Sequence, residues 1–385
     1  MSIIIYQHMI VSPLKGGISR MSVVYRQLLM KAGYEVFFLS TDRGDNTFLD
    51  GQLFLDGDTF EKQHTSFLDI IKEYHVELMI YQDGISPKNN YILRWANECN
   101  LKIINEIHST LRGMYGLDGH PRLSNIRPKW LRLIVNKCVN YYFIIKYGGL
   151  YREEFELCDK VVLLSDKFRS EITYFTHWND FSKFTAITNP LTIEVPSVDI
   201  FKKKKIVLHV GLLSSQKRQD LLLNVWKIVE EKKNNWKLLI LGDGPKRQQL
   251  EAQSRKLGLR NIYFEGFQKP ESYYEDASIF SLTSGYESFG LVLVESMAYG
   301  CVPMAFNSFE TACDIIDNGI NGKLIQPFDI EAYAQQMVWL MDNQEQRKEM
   351  AQKAIEKSKA FDIDAIGKLW YDLIAEIQGN TKKKY

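Results

Sequence analysis

Apolar residues recur along the chain with two periods, and the two alternate. Runs rich in Ile, Val, Leu and Phe at 3–7, 36–39, 78–81, 102–107 and 161–165 read as strands. Between them apolar positions fall at helical spacing. Met21, Val24, Tyr25, Leu28 and Leu29 share one face that closes at Gly33, and Phe67, Ile70, Ile71 and Tyr74 repeat the pattern. Strands alternating with amphipathic helices predict βαβ units and a mostly parallel sheet.

The pattern breaks once. Asn189-Pro190 and Pro196 bracket a stretch without a strand signal, and the lysines at 202–205 read as a solvated charge run. Alternation then restarts, with strands at 206–210, 237–241, 262–264, 279–283 and 302–306 and helices at 219–231, through Leu250, and at 291–299. Three helices at 331–341, 344–360 and 362–378 follow, and the tail at 381–385 reads as frayed. The expectation is an α/β chain of two doubly wound domains with a boundary at 190–205. Ligands bind at the carboxyl ends of such strands, so both sites are expected to face a cleft between the domains, an arrangement that suits a two-substrate enzyme.

Composition narrows this. A chain of 385 residues holds two domains without staples. Lys and Arg number 48 against 47 Asp and Glu, a net charge of +1, so the chain is not built to coat nucleic acid. Its five cysteines include no C-x-x-C pair, which reads as a reducing, cytosolic chain without a thiolate zinc site. No leader with a cleavage site and no apolar stretch near the ~18 residues of a spanning helix is visible.

The densest candidate chemistry runs from Ser284 to Pro303. A strand ends, a glycine-containing loop carries Glu287, and a helix opening near Leu291 carries Glu295. Amides at a helix start bind anions, and two carboxylates so placed can each grip a pair of hydroxyls. On spacing alone, Glu287 as a helix cap and Glu295 as a surface residue is the plainer account. Gly16-Gly17, between the first strand and helix, would let backbone approach a phosphate; a plain turn reads equally well. Lys217, after Gly211 and followed by Arg218, is either a phosphate ligand or a solvated lysine. Gly242-Asp-Gly244-Pro245 reads as a tight turn, since the third glycine of a dinucleotide fingerprint is missing. His108 stands at a strand's carboxyl end. Asp56-Gly-Asp58 reads as a turn rather than a metal site, and the histidines show no metal-ligand spacing. P-loop and serine-hydrolase motifs are absent.

From 119 to 152 there are 34 residues without Asp or Glu and with seven cations, Arg122, Arg127, Lys129, Arg132, Lys137, Lys146 and Arg152, interleaved with Trp130, Tyr142 and Phe143. That composition suits an anionic membrane surface; a helix pair with a solvated basic face is the alternative.

Together these signals resemble the retaining glycosyltransferases of family 4, with the two-domain GT-B fold. The resemblance spans nearly the whole chain and is weakest over 40–75 and 110–150. It rests on the opening strand, Gly16-Gly17, the run from Leu29 to Val36, Asn189-Pro190-Leu191, Gly211 to Asp220, Gly242 to Pro245, the E-x7-E pair Glu287 and Glu295, and Asn318 to Gly322. It implies a nucleotide-sugar-binding domain at 205–361 and an acceptor-side domain at 1–195, rejoined by the last helix at about 362–380.

The resemblance also implies roles. The Gly17 amide, beside Gly16, and Lys217 would meet the donor diphosphate, following Gly211. Glu295 would bind ribose hydroxyls and Glu287 those of the transferred sugar, with Ser288 and the amides of Phe289, Gly290 and Leu291 nearby. His108 would contact that sugar, and Phe267 would lie close to the base. Leu212 stands where many members carry Arg, which leaves Arg218 or Lys15 to fill that place. The implied reaction is retaining transfer from a nucleotide diphosphate sugar, a UDP-sugar ahead of a GDP-sugar, to a glycan or lipid-linked acceptor. It implies no cofactor and no metal, and cytoplasmic synthesis of bacterial surface polysaccharide at the inner face of the membrane. A nucleotide-sugar epimerase, a phosphorylase and a non-catalytic nucleotide-sugar-binding partner are the rivals.

Overall fold

A computed structural model describes residues 1–12, 16–44, 49–83, 90–111 and 129–379. It divides into two compact units. Unit 1 is formed by the described residues through Asn189 together with those from Asp364, and unit 2 by Pro190–Ile363.

Unit 1 is built on a seven-stranded parallel sheet. Its strands are β1 (Ser2–Tyr6), β2 (Glu35–Ser40), β3 (Gln52–Phe54), β4 (Val76–Tyr81), β5 (Lys102–Ile107), β6 (Lys160–Leu163) and β7 (Phe184–Ala186), in the order β3-β2-β1-β4-β5-β6-β7. β1 is central and wholly buried. Ile3 pairs with Val36 on one side and Leu78 on the other, so both faces and both edges of the strand are covered. The last helix, Ile363–Ile377, packs on the helix Gly16–Lys31: the Trp370 and Tyr25 rings lie 4.9 Å apart, and the Tyr371 hydroxyl donates to the Leu28 carbonyl at 2.9 Å. Gly367 makes this approach possible, since a Cβ there would stand 3.1 Å from Leu28 Cδ2.

Unit 2 carries six parallel strands, β8 (Lys204–Val210), β9 (Lys237–Leu241), β10 (Ile262–Gly266), β11 (Ala277–Leu282), β12 (Val302–Phe306) and β13 (Lys323–Ile325), in the order β10-β9-β8-β11-β12-β13. Its core includes Trp226, Ile240, Ile279, Met304 and Tyr333. The Tyr333 hydroxyl is satisfied inside, donating to the Met304 carbonyl at 2.9 Å and lying 2.9 Å from Ser281 Oγ.

Each sheet reverses its winding once, at β1/β4 and at β8/β11. There the connections leave neighbouring strands in opposite directions and open a crevice at their carboxyl ends. Predicted strands, and the predicted helices from 219 onward, agree with the structure within about two residues. The helix read from Phe67 begins at Phe60, and the helices Asn90–Glu98, Phe168–Thr176 and Glu271–Asp276 were not read. Neither were the strands β3, β7 and β13, which at three residues are too short to show a period. The lysines at 202–205 also differ from expectation. β8 begins at Lys204, and Lys203 turns inward to donate to the Tyr274 carbonyl at 2.6 Å, where burial lowers the basicity of its ammonium. Among the described residues no helix is long and apolar enough to cross a membrane.

Candidate active site

Lys217 and Glu287, two of the predicted residues of unit 2, meet at its switch point. The loops after β8 and β11 are stitched together there: the Gly285 amide donates to the Gln216 carbonyl at 2.8 Å, Gln216 Nε2 to the Tyr286 carbonyl at 3.0 Å, and Thr283 Oγ1 to the Arg218 carbonyl at 3.1 Å. This frame holds Lys217 Nζ 2.6 Å from Glu287 Oε1. The Ser284 hydroxyl donates to the same oxygen at 2.5 Å, so Oε2 carries neither contact. Glu287 is only 8% exposed and Lys217 18%, so the ion pair sits in a shielded recess where Coulomb interactions exceed their value in water.

Glu295, on the helix Leu291–Ala298, is buried and accepts from the Tyr274 hydroxyl at 3.1 Å through Oε2. It is not a surface residue. Glu287 does not cap that helix: the cap position is Gly290 at φ +90°, where a Cβ is disfavoured. Ser288 lies between, its hydroxyl 3.4 Å from that of Tyr286, and the Phe289 carbonyl is turned to Thr311 Oγ1 at 2.9 Å. The Phe289, Gly290 and Leu291 amides stand at the helix start, where helical carbonyls cannot accept them.

Behind Lys217 the backbone is fixed by a neutral histidine. His209 is fully buried, which pushes its imidazole down to about 4. Its Nδ1 lies 2.9 Å from the Ser281 carbonyl and its Nε2 lies 3.1 Å from Gln219 Nε2, which also donates to the Leu212 carbonyl at 2.9 Å. A neutral ring with the proton on Nδ1 satisfies both contacts. Gly211 ends β8 against Gly242, where a Cβ at Gly242 would fall 2.0 Å from the Gly211 carbonyl oxygen. Gly242-Asp-Gly244-Pro245 therefore serves the close passage of two loops, as a tight turn.

Arg218 turns away from the recess. It is in left-handed conformation, is bonded to Asp220 Oδ1 at 3.0 Å, and lies over the Phe328 ring. Leu212 is 58% exposed and Phe267, just past β10, is 84% exposed. Lys15 lies outside the described residues.

In unit 1, Gly16 and Gly17 are the first residues of the helix Gly16–Lys31 rather than a loop before it. Two serines anchor that turn: Ser19 Oγ donates to Gln7 Oε1 at 3.1 Å, and Ser22 accepts from Gln7 Nε2 at 2.6 Å. A Cβ on Gly17 would meet nothing within 4 Å, so its side of the helix is open. The serines begin a buried relay absent from the sequence reading. Ser22 donates to Gln82 Oε1 at 2.6 Å, and Gln82 Nε2 donates to Glu106 Oε2 at 2.6 Å. His108 Nε2 stands 3.4 Å from that carboxylate oxygen, and neither ring nitrogen of the buried His108 has a hydrogen-bond partner. The available signal was nearness in sequence, since Glu106 lies two residues before His108 at the carboxyl end of β5.

Asp56 pairs with Arg43 and Asp58 with Lys62 at 2.6 Å, ahead of a helix capped by Thr59. Asp56-Gly-Asp58 lies in an irregular stretch with a bend at Asp58, not a turn. Among the described residues no group of three or more His, Cys, Asp or Glu is placed to hold a metal ion. Arg122 and Arg127 of the basic segment lie outside the described residues, as does the tail at 381–385; 129–157 forms one helix.

Residues 192–357 match the family described as glycosyl transferases group 1. The chain is 29% identical over 220 residues to an uncharacterized glycosyltransferase of Haemophilus influenzae, a match covering 56% of this chain and 61% of that protein. It is 26% identical over 232 residues to an alpha-1,4-N-acetyl-D-galactosaminyltransferase of Campylobacter jejuni, whose name gives a PP-undecaprenol-linked saccharide as acceptor; that match covers 60% and 63% of the two chains. An amylovoran biosynthesis glycosyltransferase of Erwinia amylovora is 31% identical over 46% of this chain and 50% of its own. The chain thus spans between half and two thirds of these relatives' lengths. Among solved structures, the lipopolysaccharide outer core galactosyltransferase WaaB superposes with a TM-score of 0.69 at 17% identity, over 98% and 99% of the two chains. HepE of Anabaena in complex with UDP superposes with a TM-score of 0.72 at 15% identity, over 98% and 100%. The fold is that of the GT-B glycosyltransferases.

Proposed function

We propose that this chain, whose second unit carries a glycosyl transferases group 1 domain, moves a sugar from a UDP-sugar to a glycan or lipid-linked acceptor with retention at the anomeric carbon, within the cytoplasm. The observation that carries the reading is the Lys217–Glu287 pair in the β8/β11 crevice, with Glu295 buried on the adjoining helix. A relative named for amylovoran biosynthesis, and one whose name gives a PP-undecaprenol-linked saccharide as acceptor, support the acceptor class.

The pair is poised for exchange. Without donor, Lys217 and Glu287 neutralise each other. An arriving diphosphate offers Lys217 a stronger anion, and a sugar hydroxyl offers Glu287 a donor in its place. As the glycosidic bond lengthens, negative charge grows on the diphosphate and positive charge on the ring. Lys217 and the amides at 289–291 then act on a charge that is larger in the transition state than in the ground state, so they lower the barrier without a metal. The acceptor hydroxyl attacks from the face the diphosphate leaves and gives its proton to the departing phosphate oxygen, which keeps the anomeric configuration. Glu287 holds the sugar and Glu295 the ribose.

Calorimetry with UDP and GDP tests the donor half. UDP should bind more tightly than GDP, and Glu295→Ala should weaken UDP roughly ten- to hundredfold, the value of one to two charged hydrogen bonds. Unchanged UDP affinity in Glu295→Ala would remove the ribose contact.

A further inference from the structure

We infer that the outer face of the helix Lys129–Leu157 docks in the plane of an anionic bilayer. This inference does not rest on the sugar-transfer reading.

The helix presents an apolar stripe outward. At about 100° per residue, Trp130, Leu131, Ile134, Tyr141, Tyr142 and Ile145 fall within about 120° of arc, and all six are exposed, Trp130 to 61% and Ile145 to 67%. The opposite side is half-buried and includes Val139, Phe143 and Tyr147 beside Asn136 and Asn140. The Asn136 oxygen Oδ1 is buried without a hydrogen-bond partner. An exposed stripe of this kind marks a surface with an apolar partner.

Charge identifies the partner. No Asp or Glu occurs from 129 to 152 in a chain that is otherwise nearly balanced. Exposed Lys137 and Lys146 stand on opposite edges of the stripe, and the Lys146 ammonium lies 5.3 Å from the Tyr142 ring and 4.9 Å from that of Tyr147. An apolar strip edged by lysines on long stems matches acyl chains below and lipid phosphates at headgroup level. Tyrosine and tryptophan suit that boundary, apolar in the ring and polar at the tip. Since the helix is too polar to cross the membrane, it lies along the surface.

Co-sedimentation of the full chain with phosphatidylcholine vesicles, with and without phosphatidylglycerol, tests this. The wild type should pellet with the anionic vesicles and lose most of that binding between about 0.1 M and about 1 M salt, as screening shortens from roughly 10 to 3 Å. Trp130→Gln/Tyr141→Gln/Ile145→Gln should lower binding about tenfold or more at low salt. Lys137→Gln/Lys146→Gln should lower the preference for anionic vesicles, roughly fivefold per lysine. Donor binding and thermal unfolding should stay as in the wild type, because all these side chains are exposed. Binding unaffected by the triple substitution would overturn the proposal. So would absence of binding to either vesicle. A concentration-dependent dimer in sedimentation velocity that the same substitutions abolish, with vesicle binding unchanged, would assign the face to a second copy of the chain instead.

Discussion

Leu212 shows how one side chain reads differently in sequence and in structure. It stands where the resembling family often carries Arg, and a leucine there would be equally at home in a core. The structure exposes it at the carboxyl end of β8, with Arg218 committed to Asp220 and Phe328. A guanidinium at 212 therefore meets no packed interior, and it can make the bidentate phosphate contact that leucine cannot. Leu212→Arg should tighten UDP about tenfold by calorimetry, while turnover rises less because product leaves more slowly. Weaker UDP binding in a folded variant would mean that another group already occupies the place. Glu106 is the converse case, a buried charge inside a strand that the sequence did not single out. Its side chain receives Gln82 and faces His108, and on the proposed reading its role would be to position the histidine. Glu106→Gln keeps the shape and removes the charge. Turnover should fall about tenfold with donor KM within about twofold, and the loss should vanish in a His108→Gln background, since coupled residues are not additive. Equal losses in both backgrounds would mark Glu106 as merely structural.

Among the elements, strand and helix cores were legible because burial imposes the periods of 2 and 3.6 on the sequence. What escaped was set by contacts between elements. The edge strands β3, β7 and β13 exist because a neighbour offers hydrogen bonds. The outward stripe of the helix Lys129–Leu157 was visible as composition, but its direction was not. Glu154 on that helix is another such case: near the C-terminal end the helix turns inward and buries a carboxyl. Asn105 Nδ2 donates to it at 2.6 Å, and burial pushes it up to about 8, with Asp83 adding to the rise. The folded chain thus keeps a proton that the unfolded chain loses near pH 4.3. Stability contributed by this group is present below that pH and is lost as pH rises through about 8. Glu154→Gln keeps an acceptor for Asn105 and removes the titration. In urea unfolding the variant should gain on the wild type steadily from about pH 5 to pH 8, by up to a few kcal/mol at about 1.4 per pH unit. A difference constant across that range would contradict the assignment.

At the scale of the whole molecule, two doubly wound sheets were readable from alternation, and E-x7-E with the glycine turns singled out the candidate donor residues. The sequence left the Lys217–Glu287 contact open, because their loops follow strands that are neighbours only in the sheet order, 70 residues apart along the chain. That contact is where the account is most exposed. The decisive measurement is release of nucleoside diphosphate from a panel of UDP- and GDP-sugars, by the wild type and by Glu287→Ala, with Glu287→Ala shown to be folded. The account predicts that a UDP-sugar is turned over and that Glu287→Ala slows this about 10²-fold, close to 2.7 kcal/mol of barrier. Turnover in Glu287→Ala equal to the wild type, or a wild type inert toward every nucleotide sugar that it binds, would contradict it.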